Sequence, residues 1–243
     1  MPNQLIDFRR EFLNRILDLV WRQWTTAGIA GRAELWTGSV IDPEALFLFS
    51  STVTRYDARL FDAIQEWLSV NGNFINVQRL KRILKEEHFA GEPVLAAMTA
   101  ATTDSVNRAK WSKIVKELRS PKSESDPQPL FYLESGKPMP VVRDHDAQFA
   151  EYGFIRDRFE ERGVAEPFRP ERPANLLLRL RALLGVNARS EVFEYLLVNQ
   201  VGSPRAIAAD CYYSPAAIIK TMAEMKSSGF VASRTQGRRT LYS

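Results

Sequence analysis

Chemically versatile side chains are scarce in this chain. Its 243 residues include one cysteine, Cys211, which leaves no intramolecular disulfide and fits a reducing compartment. Two histidines, His88 and His145, leave little material for a zinc site or for imidazole catalysis. Gly-x-x-x-x-Gly-Lys-Ser/Thr, Gly-x-Ser-x-Gly, His-Glu-x-x-His and Cys-x-x-Cys are all absent. Ser135-Gly136-Lys137 is followed by proline rather than by a helix start, so it is not a phosphate loop. No apolar run approaches the eighteen or so residues of a membrane span, and the first 24 residues carry charges where a signal peptide would be apolar. The expectation is a cytoplasmic protein that is no enzyme, with no catalytic residue, no metal, no cofactor and no membrane attachment.

What is present is an ordinary globular composition, 45 % hydrophobic and 26 % charged, with length for one large or two ordinary domains. The formal charge of +4 is unevenly distributed. From residue 205 onward the basic residues are Arg205, Lys220, Lys226, Arg234, Arg238 and Arg239, against the acids Asp210 and Glu224. That segment holds the whole excess, and no acid follows Glu224. A localised cationic excess points to a polyanion.

Proline marks the boundaries. Eight of the 13 prolines fall between residues 121 and 173, so 120–173 reads as a proline-rich connector. Within it, Leu130–Leu133 reads as a short strand with its turn at Ser135–Pro138, and 146–162 as a helix. Before it, 1–119 reads as a helical domain. From Leu5 to Trp24, the apolar residues Leu5, Phe8, Phe12, Ile16, Leu19, Val20 and Trp24 follow the spacing of an amphipathic helix. Asp42-Pro43 caps a second helix, Asp57 a third, and basic helices follow over 76–87 and 105–118. All five tryptophans lie in this half. After the connector, 174–243 opens with a leucine-rich helix ending at Gly185. Its leucines cover more than one face, so Leu176, Leu177, Leu180, Leu183 and Leu184 are candidates for a dimer interface. A helix over 189–199 follows, with Val192, Phe193, Leu196 and Leu197 on its apolar side.

The last segment is the most informative. Ser203-Pro204 and Ser214-Pro215 each pair a hydroxyl cap with proline at the first helical position, predicting helices over 205–211 and 216–227 joined by a turn at Tyr212-Tyr213. Ile218, Met222 and Met225 form the inward stripe of the second helix. Phe230–Ser233 and Arg239–Tyr242 read as two short strands around Gln236-Gly237. Helix, short helix, turn, helix and hairpin, with Ile207-Ala208 in the first helix and Gly229-Phe230-Val231 before the hairpin, resemble the winged helix-turn-helix of MarR- and ArsR-type transcriptional regulators. The resemblance covers about 188–243. It implies a mainly α fold with a small β-hairpin wing and a DNA-binding regulatory role, commonly as a homodimer on two-fold sites.

On that reading, Pro215, Ala216, Ala217, Ile219 and Lys220 face double-stranded DNA, with Ser214 as the helix cap. Arg234, Gln236, Gly237, Arg238 and Arg239 form the wing, and Arg205 holds a phosphate. Tyr212 stands where these families often keep glycine, so a local departure in the turn is expected. The groove-facing positions are nearly apolar, which limits base readout.

The alternative is a protein-interaction module in which 215–219 docks a partner without sequence-specific DNA binding. The N-terminal domain is a further candidate for partner docking. Residues 57–87 offer a second helix-turn-helix, set against an ordinary amphipathic helix with a solvated basic face. Asp144-His145-Asp146 reads as a polar loop rather than a metal site. Cys211 reads as a buried, inert thiol rather than a redox sensor.

Overall fold

The computed structural model describes residues 2–89, 91–102, 108–118, 126–237 and 239–243, with the side chains at positions 2, 3, 108, 109, 113 and 239 left out. The chain is mainly helical and divides into two compact units, Met1–Arg169 and Pro170–Ser243.

The first unit holds six substantial helices: α1 (Pro2–Ala27), α2 (Pro43–Val53), α3 (Ala58–Asn71), α4 (Val77–Glu86), α5 (Glu92–Ala101) and α6 (Arg108–Leu118). Their starts follow the cap chemistry. Asp42 Oδ1 accepts from the Glu44 and Ala45 amides, Asp57 Oδ1 from Leu60, and Asn76 Oδ1 from Gln78 and Arg79. Trp24, Phe47, Phe61, Trp67 and Trp111 are fully buried. Each such side chain contributes roughly 1.5–3 kcal/mol by burial. Two of their polar handles find partners: Trp24 Nε1 donates to Ser50 Oγ and Trp67 Nε1 to the Ala27 carbonyl, each at 2.8 Å.

The basic look of α4 is only partly an exposed face. Arg79 is buried and pairs with Glu44 at 2.6 Å and with Asp42. Lys81 pairs with Glu117 at 2.6 Å. Two of the four cations that suggested a second recognition helix are thus engaged inside the unit.

The proline-rich stretch does not behave as a free connector. From residue 126 to Arg169 it belongs to the first unit and supplies Leu130, Phe131 and Phe149 to its core. Buried Glu66 accepts from the Arg162 and Val164 amides, at 2.6 and 2.7 Å. The Asn71 side chain bonds Glu166 and Phe168, so α3 is the spine on which the segment is laid. Prolines here lock extended backbone onto a surface rather than bridging open space.

The 146–162 helix is a single turn, α7 (Ala147–Ala150), capped by Asp146. Gly153, at φ +79°, ends it and turns the chain into an extended segment. The strand falls at β1 (Gln128–Pro129), paired in parallel with β2 (Phe154–Ile155), rather than at 130–133. Next to β2, Arg156 is enclosed by the rings of Phe61, Phe131, Phe149 and Phe159 at 5.0–5.8 Å and bridges Asp62 at 2.8 Å. Burial pushes the Asp62 carboxyl above its usual range, against the downward pull of that guanidinium.

The second unit runs through α8 (Leu176–Leu184), α9 (Ala188–Asn199), α10 (Pro204–Asp210), α11 (Pro215–Ser227), and the antiparallel strands β3 (Ser233–Gln236) and β4 (Arg239–Tyr242). Val192, Ile207, Ala208, Cys211, Ile218, Met222, Met225 and Val231 form its core, flanked by Tyr213 and Tyr242. A buried ion pair ties α8 to α9: Arg181 Nη2 lies 2.6 Å from Glu191 Oε1, and both side chains are almost wholly excluded from solvent. On α9, Leu197 faces solvent rather than the core.

Candidate nucleic-acid interface

The interface elements are set by their caps. Ser203 Oγ accepts from the Ala206 amide and Ser214 Oγ from Ala217, at 3.3 and 3.2 Å, with proline at the first position of both α10 and α11. The turn between them keeps the left-handed backbone: Tyr212 sits at φ +55°. The expected local departure is therefore absent, and a tyrosine carries the conformation usually given to glycine. Ile207 and Ala208 on α10, Cys211 at its C-terminal cap, and Ile218 and Met222 on α11 hold the two helices together. Cys211 is buried, with its Sγ 3.8 Å from the Glu191 carbonyl.

With Ile218, Thr221, Met222 and Met225 inward, α11 turns Pro215, Ala216, Ile219, Lys220 and Ala223 to solvent. Ile219 keeps 55 % of its surface exposed. Ala217 is half-buried, and Ser214 is committed as the cap. Helix α11 ends in a paired-carbonyl cap: Gly229 donates to Lys226 and Phe230 reaches back to Met225, both at 3.0 Å.

The hairpin starts later than its sequence suggests. Phe230-Val231-Ala232 leads in, Val231 turning into the core, and pairing runs from Ser233↔Tyr242 to Gln236↔Arg239. Phe230, 69 % exposed, leans edge-on against Phe193 at 5.7 Å. The two-residue turn begins at Gly237, φ +60°, the conformation such turns demand. Arg234 and Gln236 are exposed; Arg238 lies outside the described residues, and Arg239 is placed in β4 by its backbone alone.

A rung the sequence did not announce braces the hairpin from the other side. Gly202 and Tyr242 exchange both backbone hydrogen bonds, at 3.0 and 2.9 Å. Only glycine fits there, since a Cβ at 202 would lie 2.6 Å from Tyr195 Cε1 and 2.9 Å from Ile207 Cγ1. An isolated glycine immediately before the Ser203 cap was the available signal.

Electrostatics separates the two units. The second carries ten basic and five acidic residues, a net +5, and the first a net −1. Two of the second unit's acids are taken up by its own arginines, Glu191 by Arg181 and Glu224 by Arg189 at 2.8 Å. Among the described residues, exposed Arg205, Lys220 and Arg234 have no ion-pair partner.

The leucine-rich helix divides its faces. Leu177 is buried within the unit and is not available to a second chain, because α8 spends that side on α9. Leu183 is 78 % exposed, and Leu176, Leu180 and Leu184 are half-buried. Among the described residues no group of three or more histidine, cysteine or carboxylate side chains gathers as a metal site, and Asp146 of the Asp144-His145-Asp146 run serves as a helix cap. No described helix is long and apolar enough to cross a membrane. The chain matches no protein-family model, no curated protein and no solved structure.

Proposed function

We propose that the second unit is a winged helix-turn-helix that binds double-stranded DNA, and that the chain is a cytoplasmic transcriptional regulator acting as a homodimer. One observation carries the reading: the outward face of α11, beginning at its cap and including Lys220, is left open by a unit with a net charge of +5 whose hairpin presents Arg234. A helix of about 10–12 Å diameter fits the major groove, about 12 Å wide, with its N-terminal turns at the base edges. The Ala216 amide in that first turn and Arg205 suit phosphates. Arginine on the hairpin suits the backbone or a narrow minor groove.

Pro215, Ala216 and Ile219 offer thymine methyl contacts but no bidentate hydrogen bonds, so affinity exceeds sequence discrimination in this design. Gel-shift titration against genomic fragments at two salt concentrations tests the reading. Binding that weakens at the higher salt supports it; no shift at low salt refutes it.

A second reading is favoured by the exposed Ile219 and Phe230: the same surface docks a protein. A stable one-to-one complex with a partner, blocked by Ile219→Glu and accompanied by no DNA binding at low salt, would select it.

A further inference from the structure

We propose that the N-terminal half of α1 pairs antiparallel with the same helix of a second copy of this chain, the two-fold axis passing through Phe12. Helix α1 carries two apolar stripes. Leu17, Val20 and Trp24 turn into the first unit and are buried. Leu5, Phe8, Phe12, Ile16 and Leu19 fall within an arc of about 80°, centred about 110° away at 3.6 residues per turn. In this second stripe Leu5, Phe8, Phe12 and Leu19 are exposed and Ile16 is half-buried. Phe8 and Phe12 are 63 % and 56 % exposed, and their rings stack on each other at 5.9 Å with 13° between planes. Every side chain from 4 to 12 is exposed, so this half of the helix extends beyond the unit's core.

The spacing suits a second copy as the occupant. Read in either direction from Phe12, the stripe is the same: four residues to Phe8 or Ile16, seven to Leu5 or Leu19. An antiparallel copy therefore sets Phe12 against Phe12, Phe8 against Ile16 and Leu5 against Leu19, the self-complementary contact a two-fold interface requires. An unrelated partner needs no such symmetry. The charges agree. Glu11 and Arg15 share one edge of the stripe, where they pair within the chain at 2.6 Å. In the antiparallel pair that edge meets itself, bringing Arg15 of the second copy beside Glu11 and the reverse. Antiparallel packing also keeps the positive ends of the two helix dipoles apart. The stripe offers on the order of 400–500 Å² per copy, below the ~800 Å² of a standard stable interface, so the pair is transient and concentration-dependent.

Thiol cross-linking of the full-length chain reads this register. The one native thiol, Cys211, is buried, which keeps the background low. With a short bismaleimide, Phe12→Cys is expected to yield a covalent dimer at least tenfold faster than Phe8→Cys or the unaltered chain, and the Phe8→Cys/Ile16→Cys pair to recover the fast rate. Phe12→Cys at the background rate, or Phe8→Cys alone as fast as Phe12→Cys, overturns the arrangement. In sedimentation, Phe8→Glu/Phe12→Glu should lose the dimer while keeping its circular dichroism; a dimer that persists overturns the proposal and moves the interface to α8. Duplex affinity of the same double variant at protein concentrations where the unaltered chain is a monomer separates this result from DNA binding, since that affinity stays unchanged here whether or not α1 pairs.

Discussion

Tyr212 adopts φ +55° in the turn between α10 and α11, a backbone that costs a non-glycine residue about 1–2 kcal/mol. Its half-buried ring regains part of that cost. Tyr212→Gly should therefore raise the urea midpoint of the second unit, by up to about 1 kcal/mol of stability; a lowered midpoint would show that the ring outweighs the turn. The position was legible as the turn, but its backbone was not, because sequence shows the strain and not what tolerates it. Arg181 was not legible at all. It stood among leucines as a helix former, whereas its guanidinium is enclosed against Glu191. Arg181→Ala takes the guanidinium from the buried Glu191 carboxylate and should cost about 3–5 kcal/mol, while Arg181→Met/Glu191→Leu should recover most of it. Equal losses in both variants, by denaturant melts, would contradict the pair's role.

Among the elements, caps read best. Asp42, Asp57, Asn76, Ser203 and Ser214 each start a helix where the sequence placed one, since a cap is a local hydrogen bond. The inward stripe of α11 was equally plain, because 3.6-residue spacing fixes which side faces the core. Extended segments read worst. Strand β3 begins at Ser233 rather than Phe230 because Val231 is drawn into the core first, and β1 owes its place to Phe154 and Ile155, distant in sequence. The bridge between Gly202 and Tyr242 needs a small residue at 202, because Tyr195 and Ile207 crowd that spot. Gly202→Ala should force that rung apart and destabilise the second unit by about 1–3 kcal/mol, loosening the base of the hairpin. Hydrogen exchange at the Tyr242 amide reports it directly, and unchanged protection would show that the close approach relaxes freely.

At the scale of the whole molecule, the chain keeps its charge and its aromatic mass apart. The first unit holds all five tryptophans and a net −1, the second a net +5 with an unoccupied helix face. The sequence located that excess and the break in the chain near residue 170. It misjudged the proline-rich stretch, because proline content reports local stiffness and not the surface that α3 and Arg55 provide: Arg55 holds the carbonyls of Pro129 and Leu130 at 2.9 Å. On the proposed function DNA binding belongs to the second unit, so it should survive substitutions confined to the first.

If the second unit meets DNA through phosphates, as proposed, binding must depend steeply on salt. The logarithm of the binding constant for duplex DNA should fall linearly with the logarithm of salt concentration, with a slope of about −0.9 per phosphate contacted. In the Arg234→Ala/Arg238→Ala/Arg239→Ala variant the affinity should drop at least tenfold at low salt, and the slope should become shallower by about two to three. An unchanged slope and affinity in that variant would mean that the hairpin arginines do not meet phosphates.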